Sequence, residues 1–331
     1  MSVSVTIGIV ARNEEKYLEN TLKSIIGQKF DHGLEIIVVD GNSDDHTREI
    51  AKKVLKQAEI PHKVLNEADF GSRGLCFARN LVIDHAHPSS RFIAYTDADC
   101  IVDEKWLDEL YQAVEGSGDK IVGAGGPRLV APTENKKELV INTFITSLVA
   151  SGGNPAFTKR NVEFLDSIPN YNSIYKKKII TDFRYDEKLI FSDDNELNFR
   201  LKQAGYVFKY VPSAQVYHRE TDSVIQFARN MFSYGINITN TIRKHRSMVK
   251  GPLPLTITFL FYLILLIPLY YFMGVLALLP LVLYLLFALV VFVEVLLKTR
   301  TFYSLLVFIL LPVQHLSYAL GVLYNFYSQK V

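Results

Sequence analysis

The chain has 331 residues, 49% of them hydrophobic and 12% aromatic, with a formal net charge of +2 and a mean hydropathy of +0.14. That apolar content excludes a disordered chain, and the balanced charge excludes a protein that coats nucleic acid. The length suggests two domains, and the charge is unevenly spread: residues 251–331 hold only Glu294, Lys298, Arg300 and Lys330, three of the 36 basic and one of the 34 acidic groups. The first part reads as a charge-rich globular domain and the last as nearly uncharged. Cys76 and Cys100 stand outside any Cys-x-x-Cys or Cys/His pattern, which suits buried reduced thiols in a cytosolic domain better than a disulfide or zinc framework. Ser4–Val10 is too short for a signal peptide and runs at once into Arg12-Asn13-Glu14-Glu15, so the first domain is expected to stay in the cytoplasm.

Up to about residue 125, short apolar runs alternate with helical periods. Strands are expected at Val3–Val10, Glu35–Val39, Lys63–Asn66, Arg91–Thr96 and Lys120–Gly123. Helices are expected at Glu15–Gly27, Asp45–Ala58, Leu75–His85 and Asp103–Glu115. Such alternation predicts an α/β fold with a doubly wound, mostly parallel sheet, whose ligands bind beyond the carboxyl ends of the strands. Those ends are acidic as a set. Ala11-Arg12-Asn13-Glu14 follows the first strand, Asp40-Gly41-Asn42-Ser43-Asp44 the second, Asp97-Ala98-Asp99 the fourth and Gly125-Gly126-Pro127 the fifth. A single Asp after a strand is most often a helix N-cap. Asp-x-Asp after an apolar strand can instead turn two carboxylates toward one hard cation, which a nucleotide diphosphate completes. The chain has no GxGxxG and no GxxxxGK[ST], so the dinucleotide and P-loop readings fail.

Asp222–Arg246 precedes the apolar tail with Ile225, Phe227, Ala228, Met231, Phe232, Ile236 and Ile238 on one side and Arg229, Arg243, Lys244 and Arg246 on the other. This pattern fits an amphipathic helix in the membrane interface, and equally a plain linker helix. Three transmembrane helices are expected, at Leu253–Met273, Gly274–Leu297 and Phe302–Phe326. Arg243, Lys244, Arg246 and Lys250 before the first span, with Lys298 and Arg300 after the second, put those edges on the cytoplasmic side. Glu294 is expected to snorkel at that edge, and Gln314 and His315 to face the bundle, for packing or along a lipid-acceptor path. The expected divisions are a catalytic domain at 1–221, the interfacial helix at 222–250 and the membrane domain at 251–331.

The ordered segments VTIGIVARNEEKYL, IIVVDGNSDDHT, FIAYTDADC and FSDDNELNFRLKQAGYVFKYVPSAQVYH resemble glycosyltransferase family 2, the inverting enzymes of GT-A fold, over residues 3–245. With the Gly-Gly-Pro, the FARNMFSYG helix and the apolar tail, the chain is most similar to membrane-bound, cellulose-synthase-like members. These include succinoglycan-type enzymes and archaeal enzymes that build lipid-linked N-glycans.

The resemblance implies displacement at the anomeric carbon of a nucleotide sugar. It implies Mg2+ or Mn2+ at Asp97 and Asp99, Asp99 being the more direct ligand and Asp97 also within reach of the ribose. His218 stands either as a third metal ligand, which would favour Mn2+, or as a structural histidine. Nucleotide recognition falls to Ala11, Arg12, Glu14, Asp40 and Ala98, and Arg73 and Arg79 are diphosphate partners or surface ion pairs. Asp194 takes the place of the catalytic base in a Glu-Asp-x-Asp pattern, here Asp193-Asp194-Asn195-Glu196. Crowding by Asp193 and Glu196 is expected to favour proton uptake by Asp194. Gly126, Asp193, Gln226 and Arg229 are expected at the acceptor. The chain departs from the family in having Ala11 for the usual proline and Asn230 where processive synthases carry a tryptophan after Gln-x-x-Arg. Single-sugar transfer to a hydroxyl of a lipid-linked saccharide is therefore expected, with mannose from GDP-mannose ahead of UDP-glucose. The alternatives are a polyprenyl-phosphate sugar synthase and a non-catalytic nucleotide-binding membrane protein.

Overall fold

In the computed structural model, residues 3–152, 154, 162–189, 193–219, 221–248 and 253–328 are described. They form two compact units, residues 1–131 with 154–219, and residues 132–153 with 220–331. Residues 132–153 thus group with the second unit and leave the sheet-bearing one.

In the first unit the alternating pattern gives β1 (Val5–Ala11), α1 (Leu18–Ile26), β2 (Leu34–Asp40), α2 (Thr47–Lys56), β3 (His62–Asn66), α3 (Leu75–His85) and β4 (Phe92–Tyr95). Next come β5 (Cys100–Val102), α4 (Trp106–Val114), β6 (Ile121–Gly125) and β7 (Arg128–Val130). After α5 (Lys136–Ile145), which belongs to the second unit, follow β8 (Phe164–Leu165), β9 (Ser173–Lys176) and α6 (Lys177–Phe183). The unit closes with α7 (Asp193–Gln203), β10 (Val207–Tyr210) and β11 (Val216–His218). An eight-stranded sheet runs β3-β2-β1-β4-β9-β6-β10-β8. β1, β2, β3 and β4 pair in parallel, as do β6 and β10, whereas β9 enters antiparallel between β4 and β6. The period of two in β2 sends Ile36 and Val38 to one face, with α1, α2 and Trp106 of α4. Ile37 and Val39 face the other, with α3, α6 and α7. Sheet faces covered on both sides explain the near-continuous apolar strands.

A second sheet, β5-β11-β7, was not expected from the sequence. Its seat is fixed by the buried side chain of Asn172, which donates to Pro127 O and Ala214 O and accepts from Trp106 Nε1 at 2.8 Å. Gly126 lies in the same joint, where an added Cβ would stand 2.0 Å from Ala214 O and 2.7 Å from Val211 O. Backbone cannot yield as a flexible side chain does, so glycine is required here for packing.

The second unit holds α5, α8 (Val224–Lys244), α9 (Leu253–Met273), α10 (Leu279–Thr299) and α11 (Val307–Ser328). Among the described residues, two helical stretches are long and apolar enough to cross a membrane, 253–299 and 302–328, where three spans were expected. The first doubles back at Gly274: Phe259 stacks on Tyr284 with centroids 4.4 Å apart, and Tyr262 OH donates to Ala277 O. The α8 segment is helical as expected, but its packed side is mixed, with Phe227, Gly235, Thr239 and Ile242 buried and Ile225 and Tyr234 exposed. Gly235 and Gly321 let α8 and α11 approach backbone to backbone, and Asn325 Nδ2 donates to Ile236 O and Asn240 Oδ1. Glu294 is held by the protein itself. Its carboxylate accepts from Ser147 Oγ, Leu148 N and Val149 N and pairs with Lys298, closing the turn after α5. His315 packs on α10 through Tyr284 OH, 3.0 Å from its Nδ1. Lys250 lies outside the described residues.

Gly126→Ala is expected to destabilise the protein by about 1–3 kcal/mol, the cost of overpacking a well-filled joint, read as a lowered melting temperature. An unchanged melting curve would show that the joint has room for a methyl group.

Candidate active site

The carboxyl ends of β1 and β2 lie side by side, with Ala11 paired to Asp40. Beyond them two loops interlock. Asn13 N donates to Ser43 Oγ, Asp44 N to Asn13 Oδ1, Glu14 N to Thr47 Oγ1 and Glu15 N to Asp45 Oδ2. Asp40 is buried and accepts from Ser43 N at 3.4 Å, while Arg12 is exposed. The floor of the 71–74 loop is buried Glu67, whose Oε1 accepts from Arg73 N and Gly74 N, both at 2.6 Å. The Arg73 guanidinium is paired with Glu187 at 3.0 Å and lies over Phe77.

Asp97, Ala98 and Asp99 link β4 to β5, and β11 runs antiparallel to β5 with His218 opposite Cys100. This pairing carries the imidazole to the two carboxylates: His218 Nε2 is 3.7 Å from Asp97 Oδ2 and 3.6 Å from Asp99 Oδ1. Its Nδ1 lies 2.6 Å from Arg219 O, which fixes the ring. On the other side Arg79 of α3, only 4% exposed, reaches Asp97 Oδ1 with Nη2 at 3.3 Å. Ala98 is buried.

Burial pushes the Asp97 carboxyl upward, but His218 and Arg79 outweigh it and hold the group below its ordinary range. Burial also opposes a charged His218, yet Asp99 and Asp97 raise it well above the usual imidazole value. Glu14 is pushed up to about 7, first by burial and then by the charges of Asp99 and Asp97. Cys100 is pushed up to about 11 by burial. Two carboxylates and an imidazole form a hard-to-borderline donor set that fits Mn2+ or Mg2+.

Tyr171 meets His218 edge to face at 5.3 Å, with Arg128 over its own ring at 6.0 Å. Its phenol is held far above the ordinary value, first by burial, with the charges of Asp194 and Asp97 adding to it. Asp194 therefore acts on the same phenol as the Asp-x-Asp. It lies in the first turn of α7 and accepts from Asn195 N at 2.7 Å. The Asp193 side chain lies outside the described residues. The expected crowding of Asp194 by Glu196 is corrected: Glu196 is fully buried and forked by Arg200 Nε and Nη2 at 2.7–2.9 Å. A carboxylate so paired adds little repulsion.

Residues 6–200 match the family described as Glycosyl transferase family 2. The chain belongs to that family. This family-2 chain is 26% identical over 213 residues to poly-beta-1,6-N-acetyl-D-glucosamine synthase of Staphylococcus aureus, covering 63% of this chain and 48% of the synthase. It thus spans about half the length of that relative. It is 25% identical over 247 residues, 72% of this chain and 74% of the relative, to a dolichyl N-acetyl-alpha-D-glucosaminyl phosphate 3-beta-D-2,3-diacetamido-2,3-dideoxy-beta-D-glucuronosyltransferase of Methanococcus voltae. A mannosyltransferase of Pyrobaculum calidifontis, solved with GDP-Man and Mn2+, shares the fold at a TM-score of 0.58 and 15% identity, over 98% of this chain and 88% of that one.

In the family-2 chain, then, the fold gathers Asp97, Asp99 and His218 with Glu14 in one electrostatic group. Gln226 and Arg229 lie on α8 in the second unit, both exposed, and Gln226 donates to Asn230 Oδ1. Sequence reasoning offered Arg79 for the diphosphate and did not foresee its pairing with Asp97. It missed Tyr171, Arg128 and Glu67 altogether, for a lone residue in a three-residue strand or a single 3-10 turn carries no periodic signal. Arg219, which lies over the Tyr17 ring at 5.5 Å, had one available clue: it directly follows His218.

Because Glu14 has a raised value in the fold, it contributes stability at low pH that is lost as pH rises from about 4.5 through about 7. In chelator-treated protein, thermal melts at stepped pH should show Glu14→Gln lacking that component and gaining on the parent at mildly alkaline pH. Parallel curves for the two proteins would contradict it.

Proposed function

We propose that this chain is a metal-dependent inverting glycosyltransferase. It moves one sugar from a nucleotide sugar to a hydroxyl of a lipid-linked saccharide at the cytoplasmic membrane face. The observation that carries this reading is the meeting of Asp97, Asp99 and His218 at the carboxyl end of β4, beside strand ends suited to a nucleotide. A divalent cation bound there would neutralise the charge that develops on the leaving diphosphate. Asp99 and His218 would hold it, while Arg79 fixes the rotamer of Asp97. Asp40 and the Ala11–Glu14 loop would take the nucleoside, with Arg12 at the open rim and Arg73 able to exchange Glu187 for phosphate oxygens. Asp194 would accept the proton of the acceptor hydroxyl, its carboxylate fixed at the start of α7.

Mannose from GDP-mannose is the donor we propose, as in the neighbour of like fold. The lipid-linked acceptor follows the dolichyl substrate in the name of the Methanococcus relative. Asn230, in place of a stacking tryptophan, favours transfer of a single sugar over polymer extension. Gly126 and Asp193 are proposed to border the acceptor. The apolar stretches 253–299 and 302–328 would set the chain in the membrane, with the basic residues near their ends on the cytoplasmic side.

Excess chelator is expected to abolish transfer, and Asp99→Ala to weaken nucleotide-sugar binding measured by calorimetry. Full activity in chelator would refute the metal-dependent reading. Asp194→Asn keeps the shape and removes proton acceptance, so transfer to a lipid-linked saccharide should fall about 10²–10⁴-fold at near-normal donor affinity. Near-parental transfer by that variant would instead point to an acceptor that arrives ionised, as a polyprenyl phosphate does.

A further inference from the structure

Cys100 has no part in the mechanism above, yet its thiol stands among the metal-binding groups. The ligand atoms of Asp99, Cys100 and His218 all lie within 4.8 Å of one another. Cys100 Sγ is 3.8 Å from Asp99 Oδ1. His218 spends Nδ1 on the Arg219 carbonyl, so Nε2 is the nitrogen turned to Asp99, at 3.6 Å. Strand pairing sets His218 directly opposite Cys100, so the imidazole and the thiol are held to each other by a backbone ladder.

The three groups approach from different sides. Cys100 is wholly buried and packs in the core beneath the sheet, whereas the Asp99 and His218 side chains are 24% and 12% exposed. A cation between them would meet carboxylate oxygen and imidazole nitrogen toward solvent and sulfur from behind. Oxygen donors suit Mg2+ and Mn2+, imidazole suits zinc-type ions, and sulfur selects soft ones. The donor set is therefore softer than two carboxylates and a histidine alone.

We propose that Cys100 is a further ligand at this centre. Through it the Asp99–Cys100–His218 set takes a thiophilic divalent cation, such as Zn2+, Co2+ or Cd2+, in competition with the hard cation that serves the diphosphate. On binding, an S–metal bond replaces the S–H bond and the proton leaves to solvent. Such a cation would occupy the place of Mn2+ and inhibit transfer. The inference rests on reading Asp97, Asp99 and His218 as a metal site.

The test is a Co2+ titration of the full chain in detergent micelles, carrying Cys76→Ser so that Cys100 is the only thiol. Visible d–d bands report that cobalt binds, and a near-ultraviolet sulfur-to-cobalt charge-transfer band reports that sulfur is a ligand. Both bands are expected. Adding Cys100→Ser should keep the first, remove the second and lower the preference for Cd2+ over Mn2+ by at least the about 10–100-fold seen when even an outer partner of a metal is lost. The d–d bands without charge transfer, in the protein that retains Cys100, would overturn this inference and leave the metal-site reading standing. No cobalt binding at all would overturn both. The spectrum of the Cys100-containing protein decides the matter even if Cys100→Ser does not fold.

Discussion

Glu14, Asp97 and Asp99 converge where β1 and β4 end, and like charges so placed resist folding. At an effective dielectric near 20, two unit charges 4 Å apart interact by about 4 kcal/mol, a large part of a domain's net stability. Two cations answer them. Arg79 reaches up from α3 and His218 across from β11, and both meet Asp97. Glu14, pushed up by burial and by the charges of Asp99 and Asp97, answers by holding its proton to about 7. The arrangement is a charge sink that gains from one more cation, which is what a nucleotide-diphosphate site needs.

Everything that places His218 therefore matters to the site. The imidazole owes its position to β11 lying between β5 and β7, and β11 owes its own to the joint at Asn172 and Gly126. Asn172 uses its donor and its acceptor on three separate segments, so its loss would leave buried polar groups unpaired. Tyr171 projects from the next position and closes on the His218 ring. One short 3-10 turn, Asn170–Asn172, thus braces both the second sheet and the histidine it delivers.

The second unit solves a different problem. Helices of nearly uniform apolarity have little reason to choose one face over another, and lipid offers no hydrophobic drive between them. Small residues and polar contacts make the choice here: Gly235 against Gly321, Asn325 onto α8, His315 onto Tyr284, and Glu294 onto the turn after α5. The last of these ties residues 147–149 to α10, which explains why 132–153 groups with the tail although it precedes three of the eight strands of the main sheet.

Sequence alone determined whatever depends on neighbours a few positions apart. The period of two and the flanking turns located the strands, the helical period gave Leu75–His85 at the bounds observed, and the Asp-x-Asp lay where an apolar strand ended. Motif order identified the family. It did not reveal the antiparallel β9 between β4 and β6, because a short apolar run gives no direction. Nor did it reveal the small sheet, the burial of Arg79, or the neutralising of Glu196 by Arg200 beneath Asp194. It read three spans, and the fold runs the first two together as one helical stretch, 253–299, that doubles back at Gly274, where the first span was expected to end. Those outcomes rest on side chains that meet across long stretches of chain. Only the tertiary structure decided them, because the energy of a buried charge depends on what lies beside it in space, which the order of residues does not state.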